Sequence, residues 1–171
     1  MFTILGLYTL VHVVISLLGI GSGVPLMYGF LTSKQSNLWT HVFLFTTILT
    51  SVTGFGFPAD HIMPSHILGV LSLLVLGLAV FARHARKMQG IWYKYFVVSA
   101  SVAFYLNAFV LVVQVFSKIP VLKATAPTQT EPTFLLAQSV LLVGFVILTV
   151  LSVRRDQPSS LTNTQQKSLL R

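Results

Sequence analysis

The chain has 171 residues, of which 54% are hydrophobic and 8% charged, with a mean hydropathy of +0.84. An ordinary soluble domain carries about 25% charged residues, so a chain this poor in them cannot solvate its surface and needs lipid as its solvent. The lack of cysteine excludes disulfide frameworks, thiolate metal sites, iron–sulfur clusters and thiol nucleophiles, and the formal charge of +8 has to be explained by where the basic residues lie.

Crossing about 30 Å of hydrocarbon takes roughly 20 apolar residues in a helix. Stretches of that kind run over about 3–31, 39–57, 65–82, 92–116 and 134–153, with no Asp, Glu, Lys or Arg except Lys94 at the mouth of the fourth. The prediction is an all-α, polytopic membrane bundle of five transmembrane helices. The first stretch lacks a basic start and outlasts a signal's apolar core of about 7–15 residues. It reads as a retained span, tilted or kinked at Pro25. Within it His12 shares a face with Tyr8, Ser16, Gly19 and Gly23, spaced by threes and fours. That stripe fits helix packing, with Gly19-x-x-x-Gly23 admitting a neighbour while Tyr8 and Ser16 satisfy the imidazole.

The second stretch carries His41 near its start and a Thr46, Thr50, Thr53 stripe on another face. The connection Asp60-His61-Ile62-Met63-Pro64-Ser65-His66 holds an acidic residue and two imidazoles, a pattern that either binds a divalent metal or is an exposed turn ahead of a helix. His66 falls in the first turn of the third stretch, after Pro64. His84 lies eighteen residues on, five full turns at 100° per residue, which puts both on one face roughly 27 Å apart, with Gly69, Leu73 and Gly77 between them. In the fourth stretch Asn107 is central and Gln114 follows at seven residues. Asn107 fits an interhelical hydrogen bond; with Gln114, Thr50 and the other threonines of the second stretch it also fits a small polar cavity that opens outward. Residues 117–133 contain three prolines and read as an ordered or extended outer loop with little helix. A salt bridge among Lys118, Lys123 and Glu131 would close it over the bundle. Alternatively, the segment Ser117–Thr133 docks a protein partner. Residues 154–171, rich in Ser, Thr and Gln, read as a disordered tail.

Basic residues stay on the cytoplasmic side. Lys34, Arg83, Arg86, Lys87, Lys94, Arg154, Arg155, Lys167 and Arg171, offset by Asp156, all fall on one side of the five-span arrangement. Lys118 and Lys123 fall on the other, where Asp60 and Glu131 balance them. The net charge is therefore a topology signal: N-terminus outside, C-terminus cytoplasmic, and no nucleic-acid partner needed. Trp39, Trp92, Tyr93 and Tyr95 fall where an inner aromatic belt is expected.

Phosphate-loop, zinc-helix and nucleophile-elbow signatures are missing, and three carboxylates give little scope for paired acid–base catalysis. The costly intramembrane groups are histidines and amides. A two-haem b-type carrier needs imidazoles facing each other at two depths, which His12 with His66 in the outer half and His41 with His84 in the inner half would supply.

The segments Leu106-Asn107-Ala108-Phe109-Val110-Leu111-Val112-Val113-Gln114, Lys118-Ile119-Pro120-Val121-Leu122-Lys123, Thr50-Ser51-Val52-Thr53-Gly54-Phe55-Gly56-Phe57-Pro58 and His66-Ile67-Leu68-Gly69 resemble a family of small, uncharacterised multi-pass bacterial inner-membrane proteins. The resemblance implies that location and brings no activity. The His-x-x-Gly opening of the third stretch is similar to b-type membrane cytochromes. Three readings stand: a non-enzymatic membrane protein with a packing or partner-binding role, a haem b electron carrier using His12, His66, His41 and His84, and a small-ligand carrier or channel subunit built on Asn107, Gln114 and Thr50.

Overall fold

A computed structural model describes residues 4–58 and 64–155. The Asp60–His61 pair expected as a metal site and the tail from Asp156 lie outside the described residues. Every regular element among them is helical: α1 Ile4–Thr32, α2 Asn37–Gly54, α3 Pro64–Val80 continued by a π-helical turn Phe81–Ala85, α4 Ile91–Lys118, α5 Pro120–Thr125 and α6 Pro132–Arg154.

Four of these are long and apolar enough to cross a membrane: α1, the continuous Ser65–Ala85 helix, α4 and α6. Their outward faces are aliphatic, with Leu17, Leu18, Ile67, Leu74, Leu136, Val140 and Ile147 all more than half exposed. In water such a surface would aggregate; against acyl chains it costs nothing. The 18-residue α2 is less apolar. Its Thr40, Thr46, Thr47 and Ser51 point inward and are buried. Hydroxyls facing apolar surroundings are returned to their own helix, as in Thr46 to Val42 O at 2.7 Å and Ser51 to Thr47 O at 2.9 Å.

Cross-helix contacts define two ends of the bundle. At one end Gln35 Nε2 donates to Tyr93 Oη at 3.0 Å and Arg83 donates to Asn37 Oδ1 at 2.8 Å. At the other, Tyr8 Oη donates to Thr53 O at 2.5 Å, and the ring of Phe55 stacks on His66 at 5.7 Å. Ser152 Oγ lies 3.8 Å from Met27 Sδ, which brings the end of α6 to the first end. Successive long helices thus run antiparallel. The first, or basic, end carries Lys34, Arg83, Arg86, Lys87, Lys94, Arg154 and Arg155, and the second, or loop, end carries Lys118, Lys123 and Glu131.

The core between α1, α2, α3, α4 and the inner face of α6 is aromatic and small. Phe30, Phe43, Phe96, Leu76, Ala79, Val97, Ala100 and Ala103 are sealed from the surface, and Phe30 on Phe96 and Phe43 on Phe104 meet edge to face at 5.7 and 5.9 Å, a favoured arrangement for aromatic pairs. Pro25 lies inside α1 without ending it. Ser22, close to one turn before it, returns its hydroxyl to Leu18 O at 2.7 Å.

Three expectations are revised. The 117–133 segment contains a short helix, α5, started by Pro120 at its first position, where a missing N–H costs nothing. Tyr93, expected in the aromatic belt, is 3% exposed because Gln35 gives its hydroxyl a partner inside the bundle; Trp39 and Tyr95 are exposed as a belt requires. His66 and His84 do not share one α-helical register, because the π-helical turn over Phe81–Ala85, with Arg86 N–H donating to Phe81 O at 3.2 Å, is wider than an α turn and breaks the 100° step.

Candidate functional site

At the loop end, α1 and the end of α2 build a compact polar cluster. Thr53 Oγ1 donates to Leu49 O at 2.7 Å, so its oxygen has only acceptor capacity left for the ring of His12, 2.8 Å away through Nδ1. In its neutral form the imidazole therefore carries its proton on Nδ1, and Nε2 has no hydrogen bond among the described residues. The Phe57 ring stands edge-on to both His12 and Tyr8, at 5.0 and 5.1 Å. Gly56 is required here because a Cβ would collide with the Tyr8 hydroxyl. His66, half-buried, lies parallel to the Phe55 ring, and Gly69 is the residue that lets Phe55 approach α3, since a Cβ there would meet its Cζ at 2.9 Å. His12 and His66 thus each hold a different aromatic of the same Phe55-Gly56-Phe57 turn.

At the basic end His41 and His84 are both exposed and their ring centres are 6.0 Å apart, tilted by 36°. His84 Nδ1 lies 3.2 Å from Val80 O. A carbonyl only accepts, so Nδ1 is the protonated nitrogen, and Nε2 has no hydrogen bond among the described residues. That is the arrangement a metal-binding imidazole normally has, one nitrogen tied to a carbonyl and the other at the metal. Two imidazoles on one metal ion at about 2.0–2.1 Å hold their ring centres about 5 Å apart when the site is tetrahedral and about 6 Å apart only when they bind on nearly opposite sides of the ion.

Midway along the bundle, Asn107 Nδ2 donates to Thr47 Oγ1 at 3.4 Å. A Cβ on Gly19 would lie 3.3 Å from Asn107 Nδ2, Thr46 Oγ1 and Thr47 Oγ1 alike. Three helices therefore meet at one polar point, and Gly19 is the opening that lets them. Thr50 is half-buried and its hydroxyl has no hydrogen-bond partner among the described residues. Gln114 is exposed, two turns along α4 from Asn107.

The loop is organised by Glu131. Its carboxylate accepts from Thr128 N and Oγ1 at 3.0 and 2.8 Å and from Thr130 N at 3.0 Å, so Glu131 closes its own turn, and among the described residues no salt bridge to Lys118 or Lys123 forms. Partial desolvation pushes the carboxyl pKa up, but the hydrogen bonds from Thr128 and Thr130 outweigh it and hold the group below the usual carboxylate range. Gln129 then ties the turn to α4, donating to Ser117 Oγ at 2.7 Å and to Val113 O at 3.2 Å, with φ of 60° at Gln129 itself.

Sequence reasoning points to these histidines, amides and threonines and to Glu131, but misses the part played by three other residues. Tyr8 bonds the backbone of α2 instead of His12. Gln129 fastens the loop. Arg86 is held over two rings, with its guanidinium 4.9 Å from the Trp92 ring centre and 5.5 Å from that of Phe81. The one sequence signal for this last seat is the spacing of Arg86 and Trp92 across a Gly-containing turn. Among the described residues no cluster of three or more metal-ligating side chains forms. Compared with known protein families, curated proteins and solved structures, the chain finds no match. Fold and composition define it as an all-helical protein compatible with integral, multi-pass residence in a membrane.

Proposed function

We propose that the chain is a five-span protein of the bacterial inner membrane, N-terminus outside and C-terminus cytoplasmic, with a non-enzymatic packing or partner-binding role through its outer loop. The observation that carries the membrane reading is the pairing of surfaces: aliphatic residues outward on α1, α3, α4 and α6, and threonine and serine hydroxyls inward on α2. A helix with a polar inner face, surrounded by apolar ones, crosses the bilayer as part of the bundle. The basic end supplies the cytoplasmic side by the distribution of Lys and Arg. Support for the partner reading is that the Glu131 and Gln129 bonds make the loop rigid while Ile119, Val121 and Lys123 stay exposed. The absence of cysteine makes the test clean: single-cysteine variants Lys87→Cys and Lys123→Cys are exposed, in intact cells, to a membrane-impermeant maleimide. Only Lys123→Cys is expected to react before permeabilisation. Reaction of both, or of Lys87→Cys alone, would overturn the orientation.

The His41–His84 pair favours a second reading, a b-type haem electron carrier. These two residues would hold the iron at the basic end, and the group would supply one-electron chemistry when bound. His12 and His66, expected as an outer pair, are engaged by Phe57 with Thr53 and by Phe55. One haem per chain is thus the stoichiometry this reading predicts. The protein purified in mild detergent from haem-supplemented cells should then show a sharp reduced α-band that His84→Ala abolishes. A colourless preparation would eliminate this reading and leave the first one intact.

A further inference from the structure

Seven basic side chains gather at the basic end of the bundle, and they are not used alike. Arg83 is consumed by the fold: it donates to Asn37 Oδ1 at 2.8 Å, lies 3.8 Å from Met88 Sδ, and its guanidinium sits 5.5 Å from the Phe96 ring centre. The side chains of Arg86 and Lys87, one turn further, have no hydrogen bond or ion pair with any described residue, and Glu131, the one carboxylate among those residues, is at the opposite end. They line an open recess of about 580 Å³ together with Gln89, Gly90 and Trp92.

The recess is built by the backbone. The π-helical turn ends at Ala85, Lys87 and Met88 both adopt left-handed backbone with φ of 50° and 54°, and Gly90 follows at 57°. Met88 N–H donates back to Ala82 O at 3.0 Å and Gln89 N–H to Arg86 O at 3.0 Å, so this tight reversal is internally bonded rather than loose. Such φ values are costly for side-chain-bearing residues and persist where the surroundings hold them. The guanidinium of Arg86 is in turn fixed over the faces of Trp92 and Phe81. Its position is set before any ligand arrives, which reduces the ordering cost of binding.

We propose that this recess is a binding site for the phosphodiester headgroup of an anionic glycerophospholipid. The inference rests on the membrane reading. Arg86 offers a planar donor fork suited to phosphate oxygens and Lys87 a mobile cationic donor; Gln89 adds an amide for headgroup hydroxyls. Trp92, half-buried at the mouth of α4, presents an amphipathic ring at headgroup depth, and exposed Phe81 and Ile91 beside it supply the apolar surface on which acyl chains lie. A site of this composition, cationic with aromatic and aliphatic flanks on a helix end, matches a lipid at the interface better than a soluble anion, which has no use for the apolar side.

The test uses the full-length protein reconstituted in phosphatidylcholine nanodiscs with and without phosphatidylglycerol, with bound lipid counted by native mass spectrometry after release. Wild type is expected to retain phosphatidylglycerol in preference to phosphatidylcholine. Arg86→Gln/Lys87→Gln should lose about 30-fold of that preference, from two basic groups near a membrane surface. Lys34→Gln/Arg155→Gln, with the same charge change at the same end outside the recess, should retain it. Equal loss in both double variants would reduce the effect to surface charge and overturn the site. Full competition by inorganic phosphate would assign a free anion instead and overturn the lipid. Arg86→Lys, which keeps the charge and removes the fork, guards against misfolding and should give an intermediate preference with unchanged helical circular dichroism. If the protein incorporates into nanodiscs but shows no lipid preference, this proposal fails alone; if it does not incorporate, the membrane reading fails with it.

Discussion

Among single residues, the glycines show that one residue type does opposite things at different positions of the same bundle. A Cβ on Gly23 would lie 2.6 Å from Cδ2 and Cε2 of Phe104, an edge-to-face partner of both Phe43 and Phe145 that has nowhere to move. Gly23→Ala should therefore destabilise the bundle by about 1–3 kcal/mol, the usual cost of overpacking a filled core. Gly21 and Gly77 face open space, so Gly21→Ala and Gly77→Ala should be neutral or stabilising by up to about 1 kcal/mol through the helical preference for alanine. Denaturant unfolding of the three variants in one detergent distinguishes the two cases, and a tolerant Gly23→Ala would contradict the contact. Asn107→Leu removes one weak interhelical bond, 3.4 Å to Thr47, and should cost about 0.6 kcal/mol. A loss several times larger would place a ligand or a water-filled cavity at that point instead.

The loop between α4 and α6 carries the prediction that belongs to elements. Glu131 sits at the N-cap of α6 and its carboxylate closes the 128–131 turn. Its folded pKa is below the ordinary 4.5, so the sign is that of a depressed acid: the ionised carboxylate stabilises the turn fully above the ordinary value, and that contribution disappears as pH falls through the lower folded value. Protection of the Thr128 and Thr130 amides, taken as the ratio of the intrinsic to the observed hydrogen-exchange rate at each pH, should be high at neutral pH and fall on acidification. Glu131→Gln should lower that protection already at neutral pH and flatten its pH dependence. Protection in the wild type that does not change with acid would show the loop is held by Gln129 alone.

Elements also differ in how far they can be read in advance. The apolar stretches become helices because runs of about 20 lipid-compatible residues leave the backbone no other way to satisfy itself, and the observed bounds of α1, α4 and α6 follow those runs. The Gly19-x-x-x-Gly23 stripe is legible for the same reason, as a spacing. The π-helical turn is not. Phe81-Ala82-Arg83-His84-Ala85 has no breaker in it, and its widening is fixed by residues further along the chain, the left-handed Lys87 and Met88 and the aromatic seat of Arg86. This is why the eighteen-residue spacing of His66 and His84 misplaces His84 around the helix, whereas its nearness to His41 is legible from their common depth in the bundle. Tyr93 is legible only as an aromatic near a helix end, because an interfacial aromatic and a core aromatic with a polar partner have the same sequence signature; Gln35, 58 residues away, separates them.

For the molecule as a whole, the decisive element is α2. Four helices qualify as spans by length and apolarity; α2, rich in threonine, does not, yet it lies against α1, α3 and α4 with its hydroxyls turned inward. If it crosses the bilayer, the termini lie on opposite sides and the basic end faces the cytoplasm as one unit. If it does not, the charge distribution loses its explanation, because Lys34 and the 83–94 cluster would fall on different sides. The direct measurement is impermeant-maleimide labelling, in intact cells, of single-cysteine variants at its two flanks, Lys34→Cys and Pro58→Cys. A spanning α2 requires that Pro58→Cys react at once and Lys34→Cys only after permeabilisation; reaction of both from the same side would contradict it.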